Sequence, residues 1–328
     1  MGKGRDVIRW GVLGPGRIAG VFAEGLSELP DAELAAVGSR TAEGAAAFGE
    51  RFGVPRRHTG YEALAADPDV DIVYVATPHT AHHPAVRLCL EAGKPVLCEK
   101  PFTLNADLAE DLVALARERG LLLMEAMWTR YLPLMGRLRE LVTAGAIGEP
   151  RLLAADFGFR TDGRQGRLFD PALGGGGLLD VGVYCVSLAS MLFGTPDRVV
   201  GLAELGPTGV DEQAALVLGH PGGQIAQVAS GVRTATPQEA TLLGSEGWLR
   251  VASPWWRATT MTLHVGDREE QVDGAYPGNG YQFEAAEAMR CLREGLSESP
   301  VLPLAETVSV LRTLDTARAQ WGLRYPTE

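Results

Sequence analysis

Between residues 7 and 13 an apolar run of β character, Val7-Ile8-Arg9-Trp10-Gly11-Val12-Leu13, passes through Gly14-Pro15-Gly16 straight into the helical pattern of Arg17-Ile18-Ala19. This junction constrains the fold more than any other stretch. A pyrophosphate can approach a backbone only where no Cβ intrudes, and the N–H groups of a helix start then bind its oxygens. Ala19 fills the third position of a G-x-G-x-x-A string, where a small residue lets helix and strand pack closely. An ordinary tight turn between strand and helix is the competing reading. The position between a strand and a helix favours a dinucleotide site, with Gly14, Pro15, Gly16, Arg17 and Ile18 around the phosphates.

The pattern then repeats. Strands are expected over residues 32–39, 71–76, 95–98 and 121–125. Helices are expected over residues 42–52, 84–92 and 106–119, with Gly93 and Gly120 as stops. Strands alternating with helices specify an α/β class: a doubly wound parallel sheet that binds ligands at the carboxyl ends of its strands. The character changes after residue 127. A helix over 131–144 and a strand over 150–159 lead to a loop rich in Gly and Arg. Gly174–Gly177 then open a helix over 178–192. Residues 198–272 read as successive β runs without intervening helices, hence a large and mostly antiparallel sheet. Helices over 282–293 and 305–321 follow. The organisation expected is a Rossmann dinucleotide-binding domain over residues 1–127 and an α+β substrate-binding and oligomerisation domain over residues 128–328, a length that suits two domains.

Composition narrows the partners. Thirty basic against 41 acidic residues give a formal charge of −11, which argues against nucleic acid or an anionic membrane, since both call for a basic surface. No apolar run is expected to reach the roughly 20 residues of a membrane span. The first six residues read as a short lead into the first strand without a signal peptide, and Asp6 stands where a myristoylation motif wants Ser or Thr. Cys89, Cys98, Cys185 and Cys291 have no paired spacing. They read as core thiols of a cytoplasmic protein, with no disulfide.

The end of the second strand bears on the choice of nucleotide. An acidic residue there would bind a ribose 2′-OH. The sequence instead reads Val37-Gly38-Ser39-Arg40. Ser39 can donate to a 2′-phosphate, and the Arg40 guanidinium can pair with it or stack on adenine, whereas a carboxylate would repel it. The competing reading makes Arg40 a solvated loop residue. Context favours NADP(H) as the preferred cofactor, with NAD(H) possible.

Two further stretches carry chemistry. Glu99-Lys100-Pro101 follows a strand expected near the middle of the sheet, where a protonated lysine can polarise a carbonyl or lower the pKa of a neighbouring proton donor. Asp180 and Tyr184 stand four apart behind the glycine run, so on a helix they share one face. They suit a site closing over a small polar ligand. They also suit a helix-terminal carboxylate and a half-buried tyrosine, and from spacing alone the two readings stand level.

Taken together, these pieces resemble the glucose–fructose oxidoreductase/inositol dehydrogenase/MocA-like family, in its dihydrodiol dehydrogenase-like and sugar oxidoreductase branch. The resemblance spans essentially the whole chain. Thr77-Pro78-His79-Thr80-Ala81-His82-His83 followed by Glu99-Lys100-Pro101 is similar to the family's nicotinamide-side signature. Met127-Trp128-Thr129-Arg130-Tyr131, the glycine run into Asp180 and Tyr184, and residues 281–304 are similar to the branch. The resemblance implies Lys100, Asp180 and Tyr184 as catalytic residues, and Thr77, Pro78, His79, His82, Glu99 and Lys100 on the cofactor. Trp128 and Arg130 would bound a substrate pocket shared with Asp180 and Tyr184. The three histidines lack a carboxylate or thiol companion at ligand spacing, so no metal is expected. The activity implied interconverts a secondary alcohol and a ketone on a sugar or cyclic trans-diol, in a homodimer or homotetramer joined through the second domain's sheet. Two alternatives are an NAD-dependent glycosidase of the same family and a nucleotide-binding sensor or co-regulator without catalysis. The presence of Lys100, Asp180 and Tyr184 favours the enzyme.

Overall fold

The computed structural model describes residues 7–328. The Met-Gly start and Asp6 lie outside the described residues. The chain forms two compact units. One comprises the chain through residue 103 with residues 107–128 and 277–307; the other comprises residues 104–106, 129–276 and 308–328.

The first unit is built on β1 (Ile8–Leu13), β2 (Ala32–Ser39), β3 (Arg56–Thr59), β4 (Ile72–Val75), β5 (Val96–Glu99) and β6 (Leu123–Ala126). All pairs are parallel, in the order β3-β2-β1-β4-β5-β6. The helices between them are α1 (Arg17–Leu26), α2 (Ala42–Phe52), α3 (Tyr61–Ala65), α4 (His82–Glu91) and α5 (Ala106–Arg119). The order reverses beside β1, so the crevice beyond the carboxyl ends of β1 and β4 is the natural ligand position. Strands covered on both faces read as continuous apolar runs, and β4 is buried at every residue. The short β3 and α3 were not expected: Arg56–Thr59 alternates in burial at the sheet edge and carries no apolar run. The core beneath the crevice is aromatic. Phe22 of α1 stacks on Tyr74 of β4 with centroids 3.7 Å apart, and Trp10 of β1 meets Phe22 edge-on at 5.2 Å. Such pairs add about 0.5–1.5 kcal/mol each beyond burial.

The second unit carries α6 (Pro133–Thr143), α7 (Val183–Phe193) and eight strands: β7 (Pro150–Gly158), β8 (Arg198–Leu205), β9 (Asp211–Gly219), β10 (Ile225–Gly231), β11 (Ala240–Gly244), β12 (Gly247–Val251), β13 (Thr260–Val265) and β14 (Arg268–Asp273). Their order is β14-β13-β12-β11-β7-β10-β9-β8; only β7 and β10 pair in parallel. One face is covered. Ala214, Leu216 and Leu218 of β9 and Ala226 and Val228 of β10 are buried, and α7 packs against β7 and β10. The other face is open and carries an apolar patch, with Leu202 at 83% exposure beside Val200 and Val217. Two helices close the chain, α8 (Tyr281–Glu294) in the first unit and α9 (Leu304–Trp321).

Two expectations are corrected. The helix expected over 178–192 begins instead as a π-helical turn, Leu178–Gly182, before α7. The stretch Pro171–Phe193 is also long and apolar enough to span a bilayer, with mean hydropathy 1.6, contrary to the expectation that no run would be. Its most apolar 18-residue window is 83% buried within this unit, as befits a core helix.

Candidate functional site

The crevice of the first unit has the features a dinucleotide needs. Gly14 adopts φ +90, and a Cβ there would stand 3.0 Å from the backbone of Ala76 and Thr77. A Cβ on Gly16 would meet nothing within 4 Å, so that residue faces open space. Gly16 starts α1 without a side-chain cap, and no acidic residue stands in the first turn. Its N–H groups therefore present partial positive charge with no local anion to neutralise it. Beside them the hydroxyl of Thr77 is buried with no hydrogen-bond partner among the described residues. An uncapped helix start, a glycine at close backbone approach and an orphaned buried hydroxyl fit a bound dinucleotide.

Past β2, Ser39 is buried and its hydroxyl accepts from the Thr41 N–H at 3.3 Å, at the start of α2. Arg40 is exposed, and its positive charge reaches the Tyr61 phenol. Past β4, Pro78 leads a 3₁₀ turn, His79–Ala81. His79 meets the His82 ring edge-on at 5.7 Å. His82 is buried, and both its ring nitrogens lie 2.8 Å from a carbonyl: Nδ1 from that of Pro101, Nε2 from that of Thr77. The ring thus ties the loop after β4 to the loop after β5. Burial drives its pKa down to about 4, against the two carbonyls that favour the cation and with help from the Lys100 charge. His83 is instead half-buried and bonds Asp111 at 2.7 Å.

Lys100 is positioned by its neighbour. The buried Glu99 carboxylate accepts the Lys100 N–H at 3.0 Å and the Tyr74 hydroxyl. The aromatic core therefore continues without a break, Trp10 to Phe22 to Tyr74, into the turn that carries the lysine. Two carboxyl groups not anticipated from sequence lie nearby. Glu125 on β6 accepts the Thr307 hydroxyl at 2.8 Å, and Glu284 on α8 is fully buried with neither oxygen bonded among the described residues. Burial, with the charges of Glu99 and Glu125, pushes the Glu284 pKa well up. Trp128 is buried in the same unit and stacks on Tyr281 at 4.7 Å.

In the second unit the π-turn carries Asp180, and α7 carries Tyr184 one turn on. A π-helix repeats every i to i+5, so residues four apart still lie close to one face. Both are buried, at 8% and 6% exposure. Asp180 accepts from Arg167 at 2.8 Å. The Tyr184 ring lies 5.3 Å from that of Phe157, which stacks on Trp256 at 3.3 Å. The adjacent tryptophans divide: Trp255 is core, its indole N–H on the Asp156 carbonyl at 2.8 Å, and Trp256 belongs to the aromatic wall beside Tyr184. Arg130 is buried and donates to the Ser187 carbonyl of α7 at 2.7 Å, three residues beyond Tyr184. Arg167 carried no signal in the sequence, because it lies in a Gly/Arg-rich loop without periodicity. The first unit thus offers a dinucleotide cradle and a cation at a strand end; the second offers a phenol and a carboxylate on one irregular helix.

These features define a two-part oxidoreductase with an NAD-binding Rossmann domain. Residues 8–127 match the oxidoreductase family with an NAD-binding Rossmann fold, and residues 135–250 match the GFO/IDH/MocA C-terminal domain. The chain belongs to the GFO/IDH/MocA oxidoreductase family. It is 39% identical over 331 residues to the trans-1,2-dihydrobenzene-1,2-diol dehydrogenase of Mus musculus, covering 97% of this chain and 98% of that enzyme. The human enzyme of the same name is 36% identical, with coverage of 97% and 98%. Among solved structures, a 3-ketoreductase from Actinomadura kijaniata in complex with NADP and TDP-benzene superposes with a TM-score of 0.87 at 30% identity, covering 95% of this chain and 97% of that one. That ketoreductase has also been solved with a lysine replaced by alanine and with a tyrosine replaced by phenylalanine.

Proposed function

We propose that the protein is an NADP(H)-dependent oxidoreductase interconverting a secondary alcohol and a ketone on a sugar or a cyclic trans-diol. One observation carries this reading: a single unit holds both an uncapped glycine-rich helix start and a lysine fixed by a buried carboxylate at the end of β5. When bound, NADP(H) supplies or accepts the hydride. Gly14, Pro15, Gly16, Arg17 and Ile18 would hold its pyrophosphate. Ser39 and Arg40 would hold the 2′-phosphate, with NAD(H) as the weaker ligand. Thr77, Pro78, His79 and Glu99 would face the nicotinamide side, and His82 would keep their two loops at a fixed spacing. The complex of the Actinomadura ketoreductase with NADP supports the choice of cofactor.

Tyr184 passes the proton to or from the substrate oxygen in this reading. Lys100 stabilises the phenolate and polarises that oxygen, and Asp180, oriented by Arg167, fixes a substrate hydroxyl. The stacked Trp256 and Phe157 offer an apolar face to a ring. Trp128, stacked on Tyr281, and Arg130, bonded to α7, would contribute to substrate binding in this reading. The dehydrogenase and ketoreductase names of the relatives support a diol or a ketosugar.

The apolar patch on the open face of the second sheet supports assembly into a homodimer or homotetramer. Val200, Leu202, Val217 and Ile225 form an exposed patch of the kind that marks an interface. The four cysteines are free and buried, which fits the reducing cytoplasm. The deciding experiment is a panel of trans-diols, sugars and ketosugars with NADP⁺ or NADPH, read at the nicotinamide absorbance. Turnover on at least one class, faster with NADP(H) than with NAD(H), is expected. Sugar release without net change in nicotinamide absorbance would support the glycosidase instead.

A further inference from the structure

The helix that carries Asp180 and Tyr184 starts on glycines, which cannot cap it. Gly177 offers no side chain, and the first turn is capped from a distant strand. Asp211, the first residue of β9, accepts the Leu178 N–H on Oδ2 at 2.6 Å, and the Gly177 N–H also faces it. The glycine run is what allows this approach. A Cβ on Gly176 would stand 2.2 Å from Asp211 Oδ1, and one on Gly177 would stand 3.4 Å from Oδ2. From another side the buried Tyr325 hydroxyl donates to the Gly175 carbonyl at 2.7 Å. Asp211 itself is fully buried, and its Oδ1 has no partner among the described residues. A Ser or Asn cap of the ordinary kind would serve the helix without burying a charge.

Building on the oxidoreductase reading, we propose that Asp211 is a positioning residue of the active site, anchoring from β9 the π-turn that presents Asp180 and Tyr184. The charged and titratable groups facing it are Arg318 of α9, which attracts its charge, and Tyr325 near the carboxyl end, whose phenol is pushed up by burial and then by the Asp211 charge. On the π-turn itself Asp180 is paired with Arg167, and the adjacent Glu212 is turned to Arg164 and Arg233. Burial raises the Asp211 pKa to about 7, opposed by the N–H groups of Leu178, its own backbone and Gly177. The anchor therefore changes charge within the neutral range, and the ionised form grips the Leu178 N–H more tightly than the neutral acid.

The test compares Asp211→Asn, which keeps an acceptor oxygen but no charge, with Asp211→Ala, which keeps neither. Turnover, NADP(H) affinity and amide exchange of the peptide spanning residues 176–184 are measured from pH 6 to pH 8. Asp211→Ala should lose roughly tenfold or more in kcat and lose protection at that peptide, with NADP(H) affinity unchanged. Asp211→Asn should restore most of both at pH 6, where the wild-type anchor is itself uncharged. The wild-type to Asp211→Asn ratio of kcat should rise roughly fivefold through pH 7, the difference between a neutral and a charge-assisted bond. Should Asp211→Ala fail to fold, Asp211→Asn alone carries the pH comparison. Equal kcat in wild type and Asp211→Asn at every pH would overturn the proposal while leaving the oxidoreductase reading intact. If no substrate is turned over by the wild type, that reading fails. The anchor is then judged by exchange corrected for its intrinsic pH dependence: a midpoint near 7 in the wild type but not in Asp211→Asn upholds it, and identical profiles refute it.

Discussion

His82 gives the sharpest physical test of how the loops beneath the cofactor crevice are held. Its ring is 1% exposed and lies 2.8 Å from two carbonyl oxygens, an arrangement that would suit an imidazolium. Burial opposes the charge, as does Lys100, and together they bring the pKa from 6.5 to about 4. A base whose folded pKa is depressed leaves the unfolded chain binding more protons between the two values, so stability is lost as pH falls from 6.5 towards 4. The fall from 6.5 to about 4 corresponds to about 3 kcal/mol. His82→Gln removes the titration while keeping an N–H donor for one carbonyl, which is also all that the neutral imidazole supplies. Urea unfolding of wild type and variant at pH 7.5 and 4.5 should show the wild-type advantage shrinking by about 2–3 kcal/mol at the lower pH. Proton NMR of the ring should show no titration above pH 5. An advantage that stays constant, or grows on acidification, would mean that the two carbonyls outweigh burial and that the ring is held as a cation.

The other predictions concern cofactor, chemistry, assembly and the buried anchor. Arg40→Asp should weaken NADP(H) relative to NAD(H) by about 10- to 150-fold, the worth of a charge-assisted pair, measured by titrating both cofactors. Lys100→Met and Tyr184→Phe should each cut kcat by about 10²–10⁴-fold with NADP(H) affinity nearly intact, and the double variant should lose less than the product of the two. Near-normal kcat in both single variants would move the chemistry elsewhere. Leu202→Glu, which puts a charge at the most exposed apolar position of the second sheet, should shift light scattering towards a monomer. An unchanged monomeric mass in the wild type refutes the assembly. A carboxyl raised from 3.8 to about 7 costs the fold stability as pH rises through that window, so Asp211→Asn should gain up to about 4 kcal/mol relative to wild type between pH 3.5 and pH 8, read by chemical unfolding.

What could be read from the sequence follows the range over which each signal acts. The strand at residues 32–39 and the helices at 42–52 and 106–119 coincide with β2, α2 and α5 to the residue, because local periodicity, the Thr41 cap and the glycine stops set their bounds. The strand–glycine–helix junction was legible for the same reason. The chemistry of a helix start depends on residues within one turn of it, and Gly14 and Gly16 declare themselves there. Edge strand β3 was not legible, since its residues alternate in burial without supplying an apolar run.

Partners set by the tertiary fold leave no such trace. Asp180 is 13 residues from Arg167, Thr307 is 182 from Glu125, and Leu178 is 33 from Asp211. The glycine run shows how this distance misleads. Read locally, Gly174–Gly177 admit a ligand close to a helix start, by analogy with Gly14 and Gly16. In the fold, Gly176 and Gly177 admit a carboxylate of the chain's own, and Gly175 fits against the Arg167 and Leu168 carbonyls at distances no Cβ could tolerate. Two glycine-rich helix starts in one chain thus do opposite things with the same physics. The first is left open, its N–H groups free of any side-chain cap; the second is closed by Asp211. An open helix start can bind an anion, whereas a closed one can only hold its own helix still. Exact placement of a proton-transferring group calls for the second kind of start.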